Sequence, residues 1–219
     1  MKSGIKRHVP PSRFLCNRSV QLGFSLIELM AVVGIVLVLA AIAIPNLASA
    51  IRGIRLSESS SSYANLLQQA RIRAIRDNQY YMVRTGNLPT GEPIAFVDLK
   101  NSSNFDPGDP VVVFQSGIVW QPTASAPSLN NLELKFLPNG SQGTVNTGNG
   151  PTFGTRGLPC TPSGTGTCPY LTAPLFLPTS YVTVLQNTQS GKWQAITITP
   201  GARIQRWAYD GTSTWSPIS

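Results

Sequence analysis

An apolar run from Phe24 to Ile44 is the feature that most constrains how this chain can fold. The run holds 21 residues and a single charge, Glu28. As a helix rising about 1.5 Å per residue, it would span roughly 31 Å, the thickness of a bilayer core. A lone carboxylate costs about 2.5 to 3.5 kcal/mol at the centre of a bilayer, so Glu28 calls for a partner. An ordinary anchor helix whose Glu28 reaches the membrane surface is the simpler alternative.

The segment before this run is basic. Residues 1–23 contain five Lys and Arg residues and no acid, which predicts that this segment stays in the cytoplasm while the rest of the chain lies outside. A secretory signal peptide has an apolar core of about 7 to 15 residues, and this run is longer. A signal peptide cut after Ala50 is therefore disfavoured.

The residues around Glu28 resemble the class III leader of type IV prepilins and of type II secretion pseudopilins. In that family a basic leader ends in Gly, Phe follows, and Glu is fifth in the mature chain; here these are Gly23, Phe24 and Glu28. The resemblance implies that prepilin peptidase cuts after Gly23 and methylates the amine of Phe24. It also implies that Glu28 pairs with the amino terminus of a neighbouring subunit. Gly34 and Pro45 match family positions at which the helix can bend or open.

Beyond Pro45 the sequence continues with a helical pattern. Apolar residues recur mostly every three or four positions, which predicts one buried helix face: Leu47, Ile51, Ile54, Tyr63, Leu67, Ala70 and Ala74. The polar run from Ser57 to Ser62 is a weak point of this pattern. We predict one long helix from about Phe24 to Asp77, membrane-embedded at first (24–44) and then packed on a globular head (79–219).

The sequence at the end of this helix restricts the resemblance to one group within the family. The segment L-L-Q-Q-A-R-I-R-A-I-R-D-N-Q is similar to the FimT, FimU and GspH group, and most similar to FimU-type minor pilins. Arg71, Arg73 and Arg76 could form a nucleic-acid patch, but side chains 71 and 73 point about 200° apart on a helix. A solvated helix face is the favoured interpretation.

From Tyr80 onward, short β-rich runs alternate with turn residues. The sequence predicts eight strands, at 80–85, 94–100, 111–114, 118–120, 132–137, 181–186, 193–199 and 203–209. In the hairpin around N-T-Q-S-G-K, alternation predicts that Val182, Val184, Ile196 and Ile198 face a core. A long helix on antiparallel sheets is an α+β arrangement, the type IV pilin-like fold that the resemblance implies.

Residues 138–174 form a Gly-, Thr-, Ser- and Pro-rich stretch that predicts a long surface loop. Cys160 and Cys168 lie within it, and the third cysteine, Cys16, would leave with the leader. An even pair facing an oxidising periplasm predicts a disulfide worth roughly 2.5 kcal/mol. A metal site is disfavoured because the single histidine, His8, is also in the leader.

The net charge of +8 could indicate a nucleic-acid partner. Removing the leader leaves 12 basic and 9 acidic residues, so most of the excess belongs to the targeting segment. Some FimT-like proteins bind DNA through a G-R-x-R motif, whereas this chain reads G-A-R-I-Q-R at 201–206. Arg203 and Arg206 would point to opposite faces of a strand, which disfavours DNA binding.

These features predict a protein that is not an enzyme and needs no cofactor. The mature chain lacks histidine, a Gly-rich phosphate loop and any plausible nucleophile with its base. The resemblance implies a minor pilin of a type IV pilus, anchored once in the inner membrane of a Gram-negative bacterium. Its partners would be prepilin peptidase, other pilins, the assembly platform and membrane lipid. The alternatives are a GspH-like pseudopilin of type II secretion and a FimT-like pilin that binds DNA.

Overall fold

The computed structural model describes residues 24–121, 126–129, 132, 150–161 and 180–218. The chain divides into two compact units, Met1–Ile44 and Pro45–Ser219. The described part of the first unit is helical from Leu26 onward, and the second unit contains all the strands. The predicted leader lies outside the described residues.

One long helix, α1, runs from Leu26 to Arg76. It begins two residues after the predicted start and ends one residue before the predicted end. The backbone is helical on both sides of Pro45 and at Pro45 itself. A bend at this residue stays a prediction. At the other end Asn78 adopts a φ of 50°, and the N–H of Gln79 donates to the carbonyl of Ala74 over 3.2 Å. This left-handed cap stops the helix and turns the chain toward the first strand.

Nine strands follow the helix: β1 (Tyr81–Asn87), β2 (Pro93–Asp98), β3 (Val111–Val113), β4 (Ile118–Gln121), β5 (Thr152–Phe153), β6 (Tyr181–Asn187), β7 (Trp193–Ile198), β8 (Ile204–Tyr209) and β9 (Trp215–Ile218). Seven of them match predicted strands to within two residues at either end. Strands β5 and β9 were not predicted. Of the strand predicted at 132–137, Leu132 is not in a strand, and the other residues lie outside the described part of the chain.

The strands form two antiparallel sheets. The first has the order β3-β2-β1-β5, and the second has the order β4-β6-β7-β8-β9. Helix α1 packs against both sheets through one buried cluster that contains Leu67 of the helix, Val83 of the first sheet and Leu185 of the second. The predicted α+β fold is confirmed.

Tyr63 of the helix belongs to this cluster. Its side chain is fully buried, and its hydroxyl is 3.1 Å from the Oγ1 of Thr183 on β6. Burial raises the pKa of the Tyr63 hydroxyl to about 12, with the hydrogen bond to Thr183 acting in the opposite direction. The helix and the second sheet are therefore joined by a satisfied polar contact inside an apolar core.

The predicted helix face was correct only in its second half. Tyr63, Leu67, Ala70 and Ala74 are buried, whereas Leu47, Ile51 and Ile54 are exposed. Leu56 is the first helix residue that belongs to the cluster. Periodicity identifies an apolar face, but it carries no information on where the head begins to cover that face.

The polar run from Ser57 to Ser62, which looked like a weak point of the helix pattern, makes a contact with the head. Ser59 and Ser60 are buried. The Oγ of Ser59 accepts a hydrogen bond from the backbone N–H of Gln115 over 3.2 Å, and Ser60 donates to the carbonyl of Ser57 over 2.9 Å. Small side chains let the loop before β4 approach the helix closely, and their hydroxyls satisfy the polar groups buried there.

The second sheet is buried on both faces, which corrects the prediction of a single core for the β6–β7 hairpin. Ile196 and Ile198 belong to the cluster under α1. Val182 and Val184 belong to a second cluster with Trp207 and other residues on the opposite face. The register of β6 and β7 explains the split. Thr183 pairs with Ile196, and the next pair is Val182 with Thr197. Since neighbouring pairs point to opposite faces of a sheet, Val182 and Ile196 lie on opposite faces.

The prediction of a surface loop over 138–174 was wrong for residues 150–154, although Arg156 and Thr161 are exposed. Residues 150–154 are buried, and Phe153 of β5 is fully inside the main cluster. The Oγ1 of Thr152 donates to the carbonyl of Gly150, so polarity alone did not keep this segment at the surface. Residues 138–149 and 162–174 lie outside the described residues.

Candidate assembly site

Glu28 lies in the first turn of α1 and is exposed. The helix is already hydrogen-bonded here, since the N–H of Leu29 donates to the carbonyl of Ser25 over 3.1 Å. The unpaired N–H groups of a first turn carry partial positive charge, which stabilises a carboxylate at this position. Phe24, four residues earlier, is 80% exposed. Gly23 lies outside the described residues, so the cleavage site stays a prediction.

The helix surface that follows Glu28 is apolar and exposed. From Leu26 to Ile44, the large hydrophobic side chains are at least 48% exposed. Within the described part of the chain, α1 is the one helix long and apolar enough to cross a membrane. An exposed apolar surface of this extent needs lipid or another protein around it.

Gly34 lies inside this exposed stretch. A Cβ added to Gly34 would meet no atom within 4 Å. No packing within the described chain therefore requires a glycine here. Its predicted role in helix flexibility stays a prediction, as does that of Pro45.

A comparison with curated proteins gives one informative relative, the pilin-like protein PilA1 of Thermus thermophilus. The two sequences are 31% identical over 124 residues, which cover 54% of this chain and 77% of PilA1. This chain belongs to the type IV pilin-like family. No family model and no solved structure matches it. Family membership agrees with the long helix packed on antiparallel sheets.

In this pilin-like protein Cys160 is buried and disulfide-bonded. Its backbone lies against β5, because its N–H donates to the carbonyl of Thr152 over 3.0 Å. The carbonyl of Cys160 accepts a hydrogen bond from the hydroxyl of Tyr181, whose pKa is raised by burial. Cys168 lies outside the described residues, so the pairing of these two cysteines stays a prediction.

Arg203 and Arg206, the disfavoured candidates for DNA binding, differ in their surroundings in this pilin-like protein. Arg203 precedes β8, is exposed, and donates to the Oε1 of Gln205 over 3.1 Å. Arg206 lies within β8 and is half-buried. Ala202, between Gly201 and Arg203, is buried with a φ of 61°, and its carbonyl accepts a hydrogen bond from Arg71 over 3.2 Å. This hydrogen bond ties the β7–β8 turn to the helix.

The basic end of α1 is partly neutralised. Arg76 forms a 2.7 Å ion pair with Asp77, which lowers the pKa of the Asp77 carboxyl, and Asp77 also accepts a hydrogen bond from Tyr81. Arg71 donates to the Ala202 carbonyl and so ties the helix to the β7–β8 turn. This agrees with a structural role for the arginines of the helix end.

Sequence reasoning missed one concave feature of the head. A cleft lies between α1 and the ends of β7 and β8, and Gln194 and Ser190 are among its lining residues. Ser190 lies in the N-T-Q-S-G-K turn, but the other sides of the cleft come from α1 and from the end of β8, and only the fold brings these segments together. Among the described residues, no group of three or more His, Cys, Asp or Glu side chains could hold a metal ion.

Proposed function

We propose that this chain is a minor pilin, similar to FimU, that helps to prime and assemble a type IV pilus near its tip. Prepilin peptidase cuts it after Gly23 and methylates Phe24. The mature protein crosses the inner membrane of a Gram-negative bacterium once, with its head in the periplasm, before it joins other pilins on the assembly platform.

The observation that carries this proposal is the position of Glu28. It is the one charged residue of the run from Phe24 to Ile44, and it lies in the first turn of an exposed apolar helix. In lipid its carboxylate is penalised, and an amine on a neighbouring subunit relieves that penalty by pairing with it. The amine available in a filament of such subunits is the new terminus at Phe24. The penalty therefore favours the filament over the free subunit.

The finer assignment to a minor pilin rests on the resemblance of residues 66–79. Within that segment Leu66, Leu67, Ala70 and Ala74 are buried against the sheets. The buried positions support a helix end that packs on the head, whichever member of this group the chain resembles most. A GspH-like pseudopilin and a FimT-like DNA-binding pilin remain the alternatives, and the following experiments separate them from a minor pilin.

The first experiment replaces Glu28 by Ala in the native strain. We expect normal removal of the leader, seen as a mass shift on immunoblots, and loss of the protein from sheared pili, because the pairing carboxylate is gone. Glu92→Ala is the matched control, since Glu92 is an exposed acid in the β1–β2 turn. Normal incorporation and piliation in the Glu28→Ala strain would refute the pairing.

The second experiment deletes the gene and measures three outputs in one strain. A minor pilin predicts loss of surface pili with normal secretion of extracellular enzymes. Intact piliation with lost secretion would identify a pseudopilin instead. Intact piliation with lost DNA uptake, and with salt-dependent DNA binding by the purified chain, would identify a DNA-binding pilin.

A further inference from the structure

The part of α1 that follows Pro45 combines exposed apolar side chains with arginines. Leu47, Ile51 and Ile54 are 62%, 39% and 55% exposed, and they form one stripe because these positions lie within about 60° of one another on a helix. Arg52 and Arg55 are half-buried and border this apolar stripe on the same side. Apolar and cationic side chains occur together in this way where a helix meets the headgroup layer of a membrane.

The β6–β7 turn adds a third cation next to the two arginines. The Nδ2 of Asn187 donates to the carbonyl of Arg52 over 3.0 Å, and the N–H of Asn187 donates to the carbonyl of Lys192 over 2.9 Å. Asn187 is buried, so it fixes this turn against the helix, whereas Lys192 is exposed. We call Arg52, Arg55 and Lys192 the basal cations.

The basal cations are not neutralised by the segments that carry them. Residues 45–56 and 187–193 contain no acidic residue, and none of the three cations forms an ion pair with another described residue. Two acids lie close by in the fold. The carboxylate of Glu58 accepts a hydrogen bond from Gln115 over 2.9 Å, and that of Asp210 accepts hydrogen bonds from the backbone of its own turn.

The length of chain after the apolar run keeps these cations near the bilayer of an anchored subunit. Arg52 follows Ile44 by eight residues, and eight helical residues rise about 12 Å. The headgroup layer extends about 5 to 7 Å beyond the hydrocarbon core on each side. In a helix the Cα–Cβ bonds tilt toward the N-terminus, which here is the membrane side, so the arginine side chains extend back toward the headgroups.

We infer that the basal cations and the apolar stripe form a docking surface for the headgroups of anionic phospholipids. Guanidinium and ammonium groups donate to phosphate oxygens, and the apolar stripe contacts the upper part of the acyl chains. A nucleic acid would pair with the cations but leave Ile51 and Ile54 in water. The inference rests on the membrane anchor of the proposed function and not on the pairing of Glu28. Its consequence is that lipid holds the head of a free subunit close to the membrane.

A neighbouring subunit in a filament offers another cover for the apolar stripe. Docking on a protein would not depend on the charge of the lipid. The two covers are therefore distinguished by changing the lipid headgroup while the protein stays the same.

The experiment places the full chain in nanodiscs of phosphatidylcholine, some of which carries a nitroxide quencher on its headgroup. Trp193 is half-buried next to Lys192 and reports on the docking surface through its fluorescence, and the Trp193→Phe variant gives its share of the signal. Replacing about 30% of the lipid by phosphatidylglycerol should raise the quenching of Trp193 at least about twofold. Raising NaCl from about 50 mM to about 0.5 M should reverse this increase, because the Debye length falls from about 14 Å to about 4 Å.

Variants then locate the docking surface. Arg52→Gln, Arg55→Gln and Lys192→Gln together should remove most of the increase, since each cation near an anionic surface contributes about fivefold to binding. The matched control removes the same charge from three residues distant from the base: Arg73→Gln, Lys100→Gln and Arg203→Gln. Arg73 lies about 32 Å further along α1 than Arg52, Arg203 follows Ala202, which binds Arg71, and Lys100 follows the end of β2 that pairs with the start of β1. This control should keep the increase.

Three results would overturn the inference. Equal quenching of Trp193 with and without phosphatidylglycerol would show that the head does not recognise anionic lipid. Equal loss in the basal and control variants would show a general effect of net charge. An unchanged increase in the variant with only Arg52→Gln and Arg55→Gln would also refute it, and this variant leaves the β6–β7 turn intact. A chain that does not copurify with nanodiscs would refute the membrane anchor itself, and this inference with it.

Discussion

At the scale of single residues, Gly150 decides how the β5 segment joins the head. A Cβ at this position would lie 1.3 Å from the carbonyl oxygen of Val83 on β1. Directly beside it, the N–H of Val83 donates to the carbonyl of Pro151 over 2.9 Å. Only a residue without a side chain allows this approach of two backbones. Gly150 therefore controls the docking of Thr152 and Phe153 onto the first sheet.

Replacing Gly150 by Ala should lower the free energy of unfolding by about 2 kcal/mol or more, because the added methyl forces the two backbones apart. Urea denaturation of the full chain in detergent, followed by tryptophan fluorescence, measures the effect. Gly201→Ala is the matched control, since a Cβ there meets no atom within 4 Å. Equal stability of the two variants would contradict this prediction.

At the scale of elements, the β8–β9 hairpin depends on the carboxylate of Asp210. Its Oδ1 accepts hydrogen bonds from the N–H groups of Thr212, Ser213 and Thr214, and its Oδ2 accepts from the hydroxyls of Thr212 and Thr214. These hydrogen bonds favour the ionised form and lower the pKa of Asp210 well below its usual range. The turn that aligns Tyr209 with Trp215 is thus organised by one exposed side chain.

A carboxyl whose pKa is lowered by folding contributes stability above its unfolded pKa of about 4, and this contribution is lost as the pH falls toward the folded value. Asp210→Asn keeps one acceptor oxygen and removes the titration. We expect a lower melting temperature than the unmodified chain at pH 7 and a smaller difference between the two near pH 2. Glu92→Gln serves as the control, and a constant difference at both pH values would contradict the assignment.

At the scale of the whole molecule, one cluster joins α1 to both sheets. It contains Leu67 and Tyr63 from the helix, Val83 from the first sheet, and Leu185 and Ile196 from the second. Since neither sheet can lose its contact with the helix without exposing this cluster, the head should unfold as one cooperative unit.

Leu67→Ala should lower the free energy of unfolding of the head by about 2 to 5 kcal/mol, the usual cost of truncating a fully buried leucine. Ile72→Ala on the same helix is the control and should change it by less than about 0.5 kcal/mol, since Ile72 is 61% exposed. All four tryptophans lie on strands of the second sheet. Fluorescence and far-UV circular dichroism should therefore give the same midpoint; separate midpoints would show that the sheets unfold independently.

The spacing of apolar residues predicted the structure correctly where neighbouring residues alone decide it. The helix through Tyr63 and Ala74 follows from spacing, and the β6–β7 hairpin follows from alternation around a Gly-containing turn. Burial of Ser59 and the two-residue strand at Thr152 did not follow. Each depends on a backbone distant in the sequence, at Gln115 and Tyr81–Met82 respectively, and no local signal encodes that proximity.

By itself, the sequence determined the apolar helix, the place of Glu28 in it, the tendency of the later segments to form strands, and the resemblance to pilins. These properties follow from side-chain polarity and spacing along the chain. Only the tertiary structure decided that Ile51 and Ile54 stay exposed, that the second sheet is buried on both faces, and that Leu56 of the helix lines a cleft together with residues of β7 and β8. Which residues are buried, and which segments meet, depends on the packing of segments that are distant in the sequence. That packing is decided by the core as a whole and not by any single stretch of sequence.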